Sequence, residues 1–309
     1  MGLIVQASHK RQTLLYQPDM ACLIQLPAML NRVLWCGAIC AMAAAAQPKF
    51  ELTSLLGKRL ESQPDDKGVV EAARKALAAD PDSIALAIKL SAAEASMWMN
   101  REAAATCTKA LATHPHSIEL LTERGHRRLA LRQFRMARVD LKRAASLGSK
   151  SPETFYHLGL AELFLGNYAA ASAAFCDKGL PLAPNEDSKV NFANWCYATS
   201  RRAGLNDKAN QAIAWVGSQP PTGHSEFYYN LVRFFQKEKT ETEIVPAAAG
   251  SDMESELRFT TVAFGVANWY LANGDRAKAK SYFEKIVQGK VWGTWGYVGS
   301  EVELARMRK

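Results

Sequence analysis

The sequence carries almost none of the short patterns that announce chemistry. It has six histidines but no HExxH, no GxSxG turn, no Gly-rich phosphate loop ending in Gly-Lys-Ser/Thr and no GxGxxG. Those absences remove the zinc-peptidase, nucleophile-elbow and nucleotide-binding readings. His114-Pro115-His116 sets two imidazoles close together, but no third ligand stands at metal spacing, so neither a metal site nor a cofactor is expected. Carboxylate pairs such as Glu153 and Glu162 lack a neighbour in the pattern that would tune them for acid–base work. No enzyme is expected. Runs of Val, Ile and Thr at period two are nearly absent as well, which argues against a sheet-built domain.

What is present is 48% hydrophobic, rich in Ala, and has the composition of a folded, helical chain. Of six cysteines, Cys22, Cys36 and Cys40 fall in the N-terminal stretch, leaving Cys107, Cys176 and Cys196 without CxxC spacing. Neither a zinc site nor a disulfide framework is indicated. Burial as small apolar side chains is the favoured expectation. A bridge from Cys176 to Cys196 stays open, since both fall on helices expected to be neighbours.

The formal net charge is +8, and its excess is local. Arg124, Arg127, Arg128, Arg132, Arg135, Arg138, Lys142, Arg143 and Lys150 crowd one segment, against Glu119, Glu123 and Asp140. Arg128, Arg132 and Arg135 recur at spacings of four and three, which is one helical face or its continuation across a turn. Such a patch attracts an acidic protein, an anionic glycan or a lipid headgroup. Nucleic acid is not expected, because no aromatic stacking platform is interleaved with the arginines.

From Val33 to Ala46 the chain is uncharged, with Arg32 before it and Ala44-Ala45-Ala46 at its end. It is shorter than the roughly 20 residues of a bilayer span and has the layout of a secretory signal peptide. Its distance from Met1 is awkward; translation starting at Met29 or Met20 removes the difficulty. Export to the periplasm or cell envelope is the expectation, and a cytoplasmic protein the alternative if the segment is not a signal peptide.

Phe50, Ile84, Ile118 and Pro152 start segments that match at steps of 34 residues. Position 8 of each holds Gly57, Ser91, Gly125 or Gly159; position 20 holds Val69, Ala103, Ala137 or Ala171; position 24 holds Ala73, Cys107, Leu141 or Phe175. Small residues let two antiparallel helices approach, a larger one fills the layer between pairs, and Pro81 and Pro115 stop the second helix. The fourth proline, Pro184, comes one residue late. Gly204 and Ala209 mark a fifth unit from Val190, and Tyr270, Gly274, Ala279 and Phe283 a final one.

This pattern resembles the tetratricopeptide repeat, best over FYHLGLAELFLGNYAAASAAF (Phe155 to Phe175). The resemblance implies an all-α solenoid of antiparallel helix pairs, a TPR-like superhelix. Three regions follow: 1–46, an extension plus signal peptide; 47–223, five repeat units; and 224–309, an irregular helix, a loop, a final unit and a capping helix. Trp292, Trp295 and Tyr297 are expected to plug the open end. The resemblance also implies a groove lined by the first helix of each pair, and its positions fall on His126, Tyr156, Asn191, Asn194, Arg201 and Arg202. The expected function is a non-catalytic scaffold binding a protein or peptide, acidic in character, on the concave face. The alternative is recognition of a small anionic ligand or glycan at Arg128, Arg132 and Arg135.

Overall fold

Repeated serine caps set the rhythm of the chain. The computed structural model describes residues 48–219, 226–246, 250 and 252–308, so the expectations for the N-terminal segment lie outside the described residues. Ser83, Ser117 and Ser151 accept the backbone N–H of Leu86, Leu120 and Glu153, and open helices α2 (Ile84–Ser96), α4 (Ile118–Ala130) and α6 (Pro152–Leu165). Asn185 does the same for α8 (Glu186–Arg202) through the N–H of Ser188. Each cap satisfies a helix-terminal donor that otherwise has no intrahelical partner. The four caps stand 34 residues apart, so the phase holds as far as α8. That helix begins four residues before the expected Val190 and runs to 17 residues, against 13 or 14 for its predecessors.

Second helices complete the pairs: α1 (Val69–Ala79), α3 (Asn100–Thr113), α5 (Phe134–Ser146), α7 (Tyr168–Ser172) and α9 (Asn206–Ile213). A methyl group on Gly125 would stand 2.6 Å from Leu141, and one on Gly159 2.5 Å from Phe175. Position 8 is therefore glycine because the position-24 side chain of the partner helix lies on its backbone. α7 passes directly into a π-helical stretch, Ala173–Gly179, and the wider turn absorbs an extra residue. The late Pro184 is its sequence trace. Cys176, within this stretch, is disulfide-bonded to Cys196 on α8. The expectation of free, buried thiols holds only for Cys107.

The first unit departs from its helical expectation. Phe50–Thr53 (β1) and Arg59–Glu61 (β2) form an antiparallel hairpin. Ser54 Oγ takes the N–H groups of Leu56 and Lys58, and Gly57 turns at φ +87°. A serine that competes for the backbone and a residue with positive φ favour a turn over a helix. Gly57 is thus a turn glycine, although it falls in register with the packing glycines.

After α9 come α10 (Glu226–Phe235), α11 (Glu241–Ile244), the long α12 (Met253–Ala272), α13 (Arg276–Ile286) and α14 (Trp295–Met307). The architecture is an all-α solenoid of tetratricopeptide type, extended by these elements. Its ends are joined. Lys58 Nζ donates to the carbonyl of Gly289 at 3.3 Å, and the indole of Trp292 donates to that of Glu61 at 3.1 Å. Trp98 stands edge-on to Trp292. The expected plug exists, but it welds the last elements to the first rather than covering a free end. Among the described residues no helix is long and apolar enough to cross a membrane.

Candidate functional site

The last helix, α14, lies against the first helices of several pairs. α14 packs on α12 and α13 and reaches α6. Its backbone sits directly on α12: an added methyl on Gly296 would meet the Thr260 carbonyl at 2.6 Å, and one on Gly299 the Phe264 ring at 2.3 Å. Glu301, wholly buried at 0% exposure, accepts from Nε of Arg132 at 2.8 Å, and Arg132 also donates to the Trp292 carbonyl at 2.9 Å. Glu303 receives Arg202 at 3.3 Å and Arg306 at 2.6 Å. Arg306 in turn donates to the carbonyls of Leu163 and Phe164 at the end of α6, where a basic group suits the helix dipole. A buried carboxylate requires a partner, and here each has one from another part of the array.

His126 and His157 form the seat for Trp295. Their rings stack with centroids 4.1 Å apart, and Trp295 lies 5.2 Å from His126. A guanidinium only donates, so the contact of Arg127 with His126 Nδ1 at 3.2 Å makes that nitrogen the acceptor. Burial, then the charge of Arg127, holds both imidazoles neutral: His126 falls well below the usual range, and His157 is pushed down to about 3. The pair is an aromatic platform, not an acid–base couple at neutral pH.

Tyr156 is buried among Phe175, Phe192 and Trp195, with Tyr228 beside its hydroxyl. Asn191, Asn194 and Arg201 follow along one face of α8. The side-chain carbonyl oxygens of Asn191 and Asn194, and the indole N–H of Trp195, are buried without a hydrogen-bond partner among the described residues. Arg201 donates to the Tyr197 hydroxyl at 3.1 Å and Asn273 Oδ1 at 3.0 Å, but faces no carboxylate among the described residues. Arg202 is committed: it holds Asn268 at 3.0 Å, the Tyr168 hydroxyl and Glu303. The two arginines, adjacent in sequence, therefore differ. One braces α14 and the other keeps an unmatched charge.

The three arginines of the basic segment separate. Arg128 pairs with the buried Asp140, which also takes Arg124 at 2.7 Å. Arg132, in a left-handed turn at φ +61°, points inward to Glu301. Only Arg135 is exposed. One face for all three is thus excluded by the α4–α5 turn, which rotates Arg132 away. Glu301, Glu303, Arg306 and the His–Trp platform were not foreseen. Their signal lay in GYVGSEVELA: two glycines three apart mark close helix contact, which a solvent-facing cap does not need.

A separate cavity of about 490 Å³ is lined by Glu241, Glu256, Phe259, Tyr282, Lys285 and Gln288, among others. Both carboxylates are engaged: Glu241 accepts from Tyr270, Tyr282 and Lys278, and Glu256 from the N–H groups of Lys290 and Val291. Its polar groups thus brace the α11–α13 packing.

No protein-family model and no curated protein matches the chain. Among solved structures, a tetratricopeptide repeat protein from Parabacteroides merdae is similar at 19% identity and TM-score 0.46, covering 78% of this chain and 94% of that one. YrrB, described as a TPR protein with an unusual peptide-binding site, matches at 16% identity and TM-score 0.42 over 71% and 92% of the two chains. PilF of Pseudomonas aeruginosa matches at 20% and 0.42, over 75% and 88%. The repeat architecture itself is carried by this chain's own caps, glycines and helix pairs.

Proposed function

We propose that this protein is a non-catalytic interaction scaffold of the periplasm or cell envelope, holding an extended protein or peptide segment against α6 and α8. The row on α8 carries this reading: Asn191 and Asn194 with unpartnered amide oxygens, then Arg201 without a counter-charge. Buried polar groups without partners are uncommon in folded proteins. An acidic side chain or C-terminal carboxylate supplies the anion for Arg201, and a peptide main chain supplies donors for the two amide oxygens once the side chains that cover them move aside. The Cys176–Cys196 disulfide supports the envelope location, since such bonds persist in oxidising compartments; the signal-like segment from Val33 to Ala46 supports it independently. The alternative, a small anionic ligand at Arg128, Arg132 and Arg135, loses ground because Asp140 and Glu301 neutralise the first two.

The test uses Arg201→Glu alone, because Arg202→Glu would set two negative charges against each other at Glu303. Pools of acidic and basic extended peptides are titrated into the intact protein while tryptophan fluorescence is followed, with Trp195→Phe assigning the signal. Saturable binding of the acidic pool, lost in Arg201→Glu and in Asn191→Ala/Asn194→Ala, is the expected result. No response to either pool, or binding indifferent to these variants, would reject the groove.

A further inference from the structure

The outer side of the solenoid carries a second surface that the groove does not use. On α5 and its C-terminal cap, Arg135, Met136, Val139, Lys142, Arg143, Ser146 and Leu147 all point outward and are exposed. At about 100° per residue they occupy a single arc of roughly 140°. Val139 is 63% exposed, Met136 49% and Leu147 39%. The arc contains no acidic residue. Asp140, the one carboxylate of the helix, lies just beyond the edge of the arc, buried beneath Arg124 and Arg128. Arg135 and Arg143 have no ion pair among the described residues, whereas Lys142, 58% exposed at its side chain, pairs with the buried Glu162 at 3.1 Å. Lys150 extends the cationic line past the helix end and is also exposed.

We propose that this α5 ridge docks the protein onto an anionic lipid bilayer surface. The arrangement favours lipid over an acidic protein for a geometric reason. Cations and apolar side chains share the arc, with Lys142 and Arg135 at one edge, Val139 and Arg143 within it and Met136 and Leu147 at the other edge, so a partner must offer negative charge and apolar depth side by side. A bilayer interface does so, with phosphate headgroups above acyl chains. Docked this way, the opposite side faces the aqueous phase. The inference does not depend on the groove reading, because its residues lie on the other side of the helix pair.

Co-sedimentation of the intact protein with vesicles tests it, comparing pure phosphatidylcholine with a mixture containing phosphatidylglycerol. Binding to the anionic vesicles and not to the neutral ones is expected, weakening as salt rises. At about 1 kcal/mol per basic residue near such a surface, Arg135→Gln/Lys142→Gln/Arg143→Gln is expected to lower partitioning on the order of 100-fold. Met136→Ser/Val139→Ser keeps every charge and is expected to lower it several-fold. All five positions are exposed, so circular dichroism should stay at the parent signal. Tm should hold in Met136→Ser/Val139→Ser and in Arg135→Gln/Arg143→Gln, which leaves the Lys142–Glu162 pair intact and should still lower partitioning. The proposal is overturned by equal binding to both vesicle types or by no binding to either. It is equally overturned by persistence in the triple variant, which would place the contact elsewhere, or by capture of polyglutamate without capture of vesicles.

Discussion

Residues 69–146 and residues 152–307 are both built from helix pairs, yet their inner faces are finished in opposite ways. In the first stretch, small aliphatic clusters suffice: Ala87, Leu111, Leu120, Leu121 and Ala144 form one, and Val70, Ala73, Leu90 and Met99 another. Each pair is covered by a near-copy of itself, so Ala, Gly and Leu at fixed positions are enough. The second stretch is packed by other means. It closes with a disulfide, a π-helical turn, aromatic rings such as Phe264, Phe283 and Trp292, and an extra helix whose buried acids are matched by arginines from earlier units. A solenoid can end by shielding its last pair with polar residues. This one instead turns its last helix inward.

Breaking the Arg132–Glu301 pair should mark that difference most strongly. Arg132→Ala leaves a carboxylate at 0% exposure without its cation and is expected to cost about 3–5 kcal/mol in denaturant unfolding. Arg132→Met with Glu301→Leu should recover most of the loss, because a well-packed apolar pair replaces the ionic one. Next comes the disulfide: Cys176→Ser/Cys196→Ser opens a link between residues 20 apart and is expected to cost about 3 kcal/mol. Limited proteolysis should then begin in the second stretch and spare 69–146. Smaller still is Gly159→Ala, which drives a methyl group into Phe175 and should cost roughly 1–3 kcal/mol by thermal unfolding. Gly125→Ala against Leu141 should cost less, since a leucine can turn aside more easily than a ring.

Two buried titrating groups give the finest distinction, and they act in opposite directions. Glu51, under the backbone N–H of Arg101, is pushed up to about 7 by burial, helped by nearby Glu102. The folded protein therefore binds the extra proton between pH 4.5 and about 7, so this contribution is complete below pH 4.5 and is lost as pH rises to about 7. Glu51→Gln should raise Tm at pH 8 and leave it nearly unchanged at pH 4. His157, pushed down to about 3, behaves in reverse: its contribution is complete above pH 6.5 and fades as pH falls towards 3. His157→Phe should flatten the acid limb of the Tm profile.

The parts of the molecule that repeat were legible in the sequence, for a physical reason. Gly125 and Gly159 recur because the same backbone contact recurs, and the period exposes it. The hairpin was hidden because Gly57 falls in register with those glycines while serving a turn. The start of α8 was misplaced because Gly204 fixes the end of the helix, not its beginning; Asn185 carries the start. The resemblance points to the groove positions, but what packs over them depends on a contact between Arg132 and Glu301, 169 residues apart, which no local spacing encodes. Cys176 and Cys196 stood open for the same reason: the π-helical turn that brings them together shows in the sequence only as a late proline.

The central claim is that α14 packs against the first helices of several pairs as part of the fold. Hydrogen exchange over residues 295–307, followed by mass spectrometry in the intact protein and in Arg132→Ala, tests it most directly. Protection equal to that of α6 in the intact protein, lost in Arg132→Ala while α2 and α4 keep theirs, is the predicted result. Exchange at the rate of a frayed terminus in the intact protein, or protection indifferent to Arg132, would contradict it.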